Sequence, residues 1–258
     1  MTDAAPRQPA TVYNRGMTRA GTAVLSLTLA LSLAACGGDD GGGGTIDAPV
    51  GPDAQGMVAV SGIAQTVSGT STVPLANALI EAFDSAGGGV LAMTMSATDG
   101  TYSVTMPTSG APLDGYLKGT SAGRIDTYLY PPRPLAADRT GATMLIINQA
   151  TLNLLGTLGG TSQMATKGFV GVLVIDASDV PVAGATVTIS PAGTSRVIYA
   201  VNNLPNQNAT MTDVSGTVFI ANTDVGQVTV DATMGATNFF AHAVNARAGV
   251  ITTTAIQP

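Results

Sequence analysis

The sequence predicts an all-β protein: two tandem β-sandwiches joined by a short helix, placed after an N-terminal export signal and a disordered tether. Three observations carry this expectation. From Met57 onward, short alternating apolar runs are separated by Gly, Pro, Asn and Asp, the pattern of strands and turns. The apolar residues are mostly Ala, Val, Leu, Ile and Met set among Thr, Ser and Gly, a mixture that suits a pleated surface. Finally, a stretch near residue 74 recurs about a hundred residues later.

The 258 residues are enough for one large domain or two of ordinary size. Only 10% are charged and the mean hydropathy is +0.32. No apolar run reaches the ~20 residues that a membrane-spanning helix needs. With 4% aromatics and no Trp, the cores must be aliphatic. The formal charge is −6, and three of the ten basic residues and one of the sixteen acidic ones precede Cys36, leaving 7 against 15 beyond it, a net of −8. That balance excludes nucleic acid as a partner, because binding it requires clustered Lys and Arg to displace counterions.

The N-terminal segment has three parts. A basic stretch ends at Arg19, an apolar stretch runs from about Ala20 to Leu33, and Ala34 and Ala35 then precede the only cysteine. This is the layout of a secretory signal over residues 1–35, with Met17 a second candidate start. Leu33-Ala34-Ala35-Cys36 resembles a bacterial lipobox. The resemblance implies a diacylglycerol on the Cys36 thiol, cleavage just before it and a membrane partner engaged through the lipid. Two or three acyl chains anchor stably where one binds only reversibly. Gly37, where an Asp would signal inner-membrane retention in enteric bacteria, points to the outer membrane. With Cys36 modified no cysteine remains, so disulfides are not expected. Residues 37–56 are Gly- and Asp-rich with almost nothing apolar to bury. They read as a flexible coil spanning on the order of 25 Å.

Two units then align. Pro74-Leu75-Ala76-Asn77-Ala78-Leu79-Ile80 matches Pro181-Val182-Ala183-Gly184-Ala185-Thr186-Val187. Thr98-Asp99-Gly100-Thr101-Tyr102 matches the longer Thr212-Asp213-Val214-Ser215-Gly216-Thr217. The residue types point to backbone chemistry. Gly184 and Asn77 are the residues that best tolerate positive φ. Asp99 and Asp213 are suited to accept N–H bonds within their own turns, which Gly100 and Gly216 close. Together these motifs resemble the carboxypeptidase regulatory-like domain, whose transthyretin-like sandwich is of the Ig-like class. The resemblance implies a first sandwich over 57–147 and a second, closer match over 167–258. Between them, residues 148–166 hold a short helix: Leu152, Leu155 and Leu158 are spaced for one face, with Asn148 placed to cap it.

Chemistry-bearing residues are sparse. His242 is the only histidine and Glu81 the only glutamate. The histidine's alternation with Phe240 and Val244 suggests an ordinary strand position. No catalytic residues, cofactor or metal are therefore expected, although Asp176, Asp179 and Asp213 are candidates to converge at one end of the second sandwich. Tyr128 and Tyr130 share a strand face and, with Tyr116, are the candidate ligand-contacting residues, either as a stacking platform for sugar or as core packing. Lys118 and Lys167 are the only lysines, and Lys167 precedes its strand, which argues against a self-formed isopeptide. The expected function is a non-catalytic cell-surface lipoprotein serving adhesion, assembly or envelope structure, with a surface protein or glycan as partner. The alternatives are a carbohydrate-binding or transport-accessory module, or an enzyme whose site is shared between the two sandwiches.

Overall fold

The computed structural model describes residues 56–69 and 71–258. The export signal, Cys36 and the tether as far as residue 55 lie outside the described residues. The first half comprises β1 (Met57–Ser68), β2 (Ser71–Pro74), β3 (Leu79–Asp84), β4 (Ala92–Met95), β5 (Thr101–Pro107), β6 (Gly115–Thr120), β7 (Thr127–Tyr130) and β8 (Met144–Leu145). After helix α1 (Gln149–Leu158) come β9 (Gly168–Val174), β10 (Thr186–Ser190), β11 (Arg196–Val201), β12 (Leu204–Asn206), β13 (Thr217–Thr223), β14 (Gly226–Met234), β15 (Thr237–Asn238), β16 (His242–Ala246) and β17 (Ile251–Ile256). The described residues are therefore nearly all β with one short helix.

The internal repeat is a repeat of topology. In the first half β1 pairs antiparallel with β5 and parallel with β8. In the second half β9 pairs antiparallel with β13 and parallel with β17. Facing these, β3-β6-β7 form an antiparallel run in the first half and β10-β14-β16 in the second. Alternation buries one face of each strand. In β5, Tyr102, Val104 and Met106 are buried between exposed Thr101, Ser103 and Thr105, as a half-buried antiparallel strand requires. Two aliphatic cores result. One gathers Val58, Val60, Ile80, Val104 and Met144, the other Val170, Val172, Val187, Ile220 and Val230.

The halves are fused through the sheet. The C-terminal strand β17 pairs in parallel with β9 on one side and with β7 on the other. This gives a nine-stranded sheet in the order β12-β11-β13-β9-β17-β7-β6-β3-β4. The joint links non-equivalent sheets, because β17 belongs to the β9-type sheet and β7 to the β3-type sheet. The two covering layers consequently lie on opposite faces. Paired residues share a face, so Leu117, Leu129, Thr253, Gly171 and Phe219 form one row. At its first-half end, Leu117 and Leu129 pack with Val58, Val60 and Val104 of β1 and β5. Tyr128, Thr252, Val170 and Ile220 form a row on the other face, where Val170 and Ile220 pack under β10-β14-β16.

Helix α1 starts where its cap predicts. The Asn148 Oδ1 accepts the Thr151 N–H at 2.8 Å, satisfying one of the orphan donors of the first turn. Leu152 is buried and Leu155 partly so, packing with Phe169, Ile198, Phe219 and Ile251. Leu158, expected on the same face, is instead exposed, because the chain turns away at Gly159 and the Thr161 N–H closes back on the Gly156 carbonyl.

Candidate functional site

The repeated turns are alike in detail. Asn77 (φ 56°) and Gly184 (φ 84°) both lie in the left-handed region. The residue after each donates its N–H to a buried hydroxyl: Ala78 to Ser96 and Ala185 to Thr212, both at 2.9 Å. Each hydroxyl donates in turn to a carbonyl, Ser96 to Leu75 and Thr212 to Val182. Ser96 and Thr212 are thus the buried pins of the two turns, and the sequence reading did not single them out for that part. Gly100 and Gly216 occupy matching places too. A Cβ would meet the Ala64 carbonyl oxygen at 2.5 Å in the first and that of Val174 at 2.4 Å in the second.

The two aspartates are not equivalents, although the sequence match paired them. Counting back from the glycines, Asp99 stands where Ser215 does. Asp99 accepts from the Thr101 N–H and hydroxyl, and these bonds hold its carboxyl below the ordinary range. Asp213 accepts from the Ser215 hydroxyl and N–H and also from the Asn202 N–H, with the same effect on its pKa, led by the Ser215 hydroxyl.

The three tyrosines come together on one face of the nine-stranded sheet. Tyr116 on β6 lies with its ring centroid 5.7 Å from Tyr128 and 5.1 Å from Tyr130 on β7, and stacks on Phe83 at 5.3 Å. The open side of this platform is taken by Arg247, which follows β16 in the other half. Its guanidinium carbon sits 4.0 Å over the Tyr128 ring and 5.1 Å from that of Tyr116. Both terminal nitrogens donate to the Tyr130 hydroxyl at 3.3 Å. Burial raises the Tyr130 pKa and the Arg247 bond opposes that, so the phenol stays protonated. A planar cation with its hydrophobic faces covered is a stable stacking partner for tyrosine. The cluster is therefore an internal clasp between the halves, and it occupies the ring face that a sugar would need.

His242 lies beside the clasp. Its Nδ1 is 2.7 Å from the Thr254 hydroxyl and its ring meets Tyr130 edge-on at 6.4 Å. Burial lowers its pKa, with Asp114 of the first half opposing, so the imidazole is neutral at pH 7. Its polar neighbours are these packing and hydrogen-bond partners. Glu81 pairs across the sheet with Lys118 and Met93, and Lys118 forms an ion pair with Asp126 at 3.1 Å. Lys167 is ion-paired to Asp224, not to an asparagine. Asp176 accepts N–H bonds from Ser178 and Val180 in its own turn, and Asp179 is held by Arg139 and Gln257. Among the described residues no three His, Cys, Asp or Glu side chains are grouped to hold a metal.

On the opposite face of the sheet from the clasp lies a cleft of about 520 Å³, lined by residues of both halves and roofed by the loop after β7. Nothing in the sequence marked it, since it depends on which strands of the two halves are neighbours.

No protein-family model matches the chain, and no curated protein matches it. Solved structures with some likeness include the Bacillus anthracis TIE protein, 10% identical over 77% of this chain and 33% of that one, with a TM-score of 0.25. The shaft pilin SpaA from Lactobacillus rhamnosus GG is 13% identical over 80% of this chain and 98% of that one, with a TM-score of 0.25. A minor pilin of Streptococcus agalactiae is 11% identical over 78% and 94%, with a TM-score of 0.26. The chain thus spans about a third of the first and nearly all of the two pilins. At TM-scores this low the likenesses say nothing of what the chain does.

Proposed function

We propose that the chain is an exported lipoprotein of the bacterial cell envelope, held by acyl chains on Cys36, whose two sandwiches act as a single non-catalytic module for adhesion, assembly or envelope structure. The observation that carries the reading is the joint at β17. Two sandwiches strung on a linker move relative to one another by default. Here one strand gives main-chain hydrogen bonds to both halves, and Arg247 adds a side-chain clasp across the same joint. A stiff double module beyond an N-terminal anchor suits the presentation of a surface with the two halves at a fixed geometry. The anchor itself rests on Leu33-Ala34-Ala35-Cys36.

Labelled-palmitate incorporation tests the anchor. The full chain should take up label and fractionate with membranes, and Cys36→Ser should do neither. A full chain that stays unlabelled, or that begins upstream of Cys36 after export, defeats the proposal.

A further inference from the structure

The cleft opposite the clasp is a consequence of how the halves are fused. Along the row Leu117, Leu129, Thr253, Gly171, Phe219, the first two side chains pack with β1 and β5 and the last packs with α1. The next row on that face is Ala255, Leu173 and Thr217. Between β1 and β5 on one side and α1 on the other, this face carries the small residues Thr253, Gly171 and Ala255. Gly171 leaves the floor open, since a Cβ there would meet only the Thr253 methyl, at 3.3 Å. Leu113, Leu117, Leu129 and Leu135 make the walls on the first-half side, and the cavity measures about 520 Å³. That lies within the range of small-ligand sites, which are mostly apolar with a few placed polar groups.

The charged groups lining the cleft are Arg139 and Asp179, ion-paired at 3.1 Å. Asp179 also accepts from the Gln257 amide at 2.6 Å, so a ligand carboxylate would share Arg139 with it through the other nitrogens of the guanidinium fork. Arg139 is anchored by its backbone, which exchanges bonds with Ala59 and Ser61. Only one of its terminal nitrogens is engaged by a side chain among the described residues. A guanidinium has five N–H donors in a fork that fits a carboxylate. The cleft therefore combines an apolar floor and walls with an anion-binding group at its lining.

From this geometry we infer that the cleft binds a long-chain carboxylate, with the hydrocarbon chain along Gly171, Thr253 and Ala255 and the carboxylate on Arg139. The acyl chains of a lipidated Cys36 are uncharged at their attachment, so Arg139 favours a free fatty acid over the protein's own anchor. The inference does not depend on lipidation.

The test is titration of the full chain carrying Cys36→Ser with a fluorescent long-chain fatty acid, and its displacement by palmitate. Saturable one-to-one binding is expected. Ala255→Leu, which fills the floor, should weaken it at least about tenfold. Arg139→Gln should weaken palmitate by roughly ten- to a hundredfold, the range for a charge-assisted hydrogen bond, yet leave the uncharged hexadecanol nearly unaffected. Arg139→Gln alters a side chain at the cleft and keeps the backbone pairing, so it remains informative should Ala255→Leu fail to fold. Absence of saturable binding, or equal loss of palmitate and hexadecanol in Arg139→Gln, overturns the inference. Binding that vanishes only when Cys36 is restored and acylated would instead assign the cleft to the anchor.

Discussion

Replacing Arg247 with Met separates a clasp from a binding platform. The substitution keeps an unbranched apolar stem and removes the cation. What is lost can be worked from the structure. The guanidinium lies 4.0 Å over Tyr128 and 5.1 Å from Tyr116, two cation–π contacts worth ~0.5–1 kcal/mol each at an exposed site and more when desolvated. The shared bonds to the Tyr130 hydroxyl are long at 3.3 Å, so they add only a fraction of a typical ~1 kcal/mol. The total is about 2 kcal/mol, which for a protein of this size lowers Tm by roughly 4–8 °C. Differential scanning calorimetry on the wild type, Arg247→Met, Tyr128→Leu and the double variant would give the coupling directly. About 1 kcal/mol is expected, well above the ~0.3–0.5 kcal/mol scatter of independent sites. Strictly additive single variants would refute the clasp. So would an unchanged Tm in Arg247→Met together with a glycan whose binding is lost in Tyr128→Leu, because the rings would then be serving a ligand.

Two further outcomes follow from the same structure. Burial keeps His242 neutral, so the unfolded chain takes up the imidazole proton near the ordinary pKa of 6.5 while the folded chain does so only at lower pH. The unfolded state then binds more protons below about pH 6.5, and stability, full above that pH, falls as the pH drops. Urea unfolding at pH 7.5 and 5.5 should show this loss in the wild type and a smaller one in His242→Gln; equal losses would remove the histidine from the account. Gly216→Ala and Gly184→Ala both place a Cβ at positive φ, at a cost of ~1–2 kcal/mol. Only at Gly216 does the new atom also meet backbone, 2.4 Å from the Val174 oxygen, whereas nothing lies within 4 Å at Gly184. Gly216→Ala should therefore be the more destabilising by chemical denaturation, and the reverse order would mean that the turns are not packed as described.

The parts of the fold that were legible in the sequence are those set by neighbours along the chain. The alternation of β5 is visible because burial in a two-layer sandwich imposes a period of two over residues 101–107. The start of α1 is visible because a capping Asn must sit just before the first turn. Asn77 and Gly184 stand out because few residue types accept φ of 56° or 84°. Ser96 and Thr212 have no such signature. A hydroxyl next to a turn looks the same in sequence whether it is solvated or buried against two backbone groups. In the first half the pin falls three residues before Asp99, and in the second it is the residue just before Asp213, so matching the aspartates hides the equivalence of the pins.

The joint between the halves was out of reach for a different reason. β17 lies between two parallel neighbours, and a strand in such a place is normally a continuous apolar run. Here the run is Ile251-Thr252-Thr253-Thr254-Ala255-Ile256, which reads as a half-exposed antiparallel edge. The threonines are tolerated inside because each hydroxyl has a local partner: Thr252 donates to the Asn245 carbonyl, Thr253 to that of Tyr128, and Thr254 meets His242. The strand that β17 joins in the first half is more than 120 residues upstream in the chain, at Thr127–Tyr130, and no local pattern specifies that pairing. Both features that bear on function follow from it. Parallel pairing at β17 brings Arg247 over the tyrosines on one face of the sheet, and sets Gly171, Thr253 and Ala255 side by side as the floor of the cleft on the other.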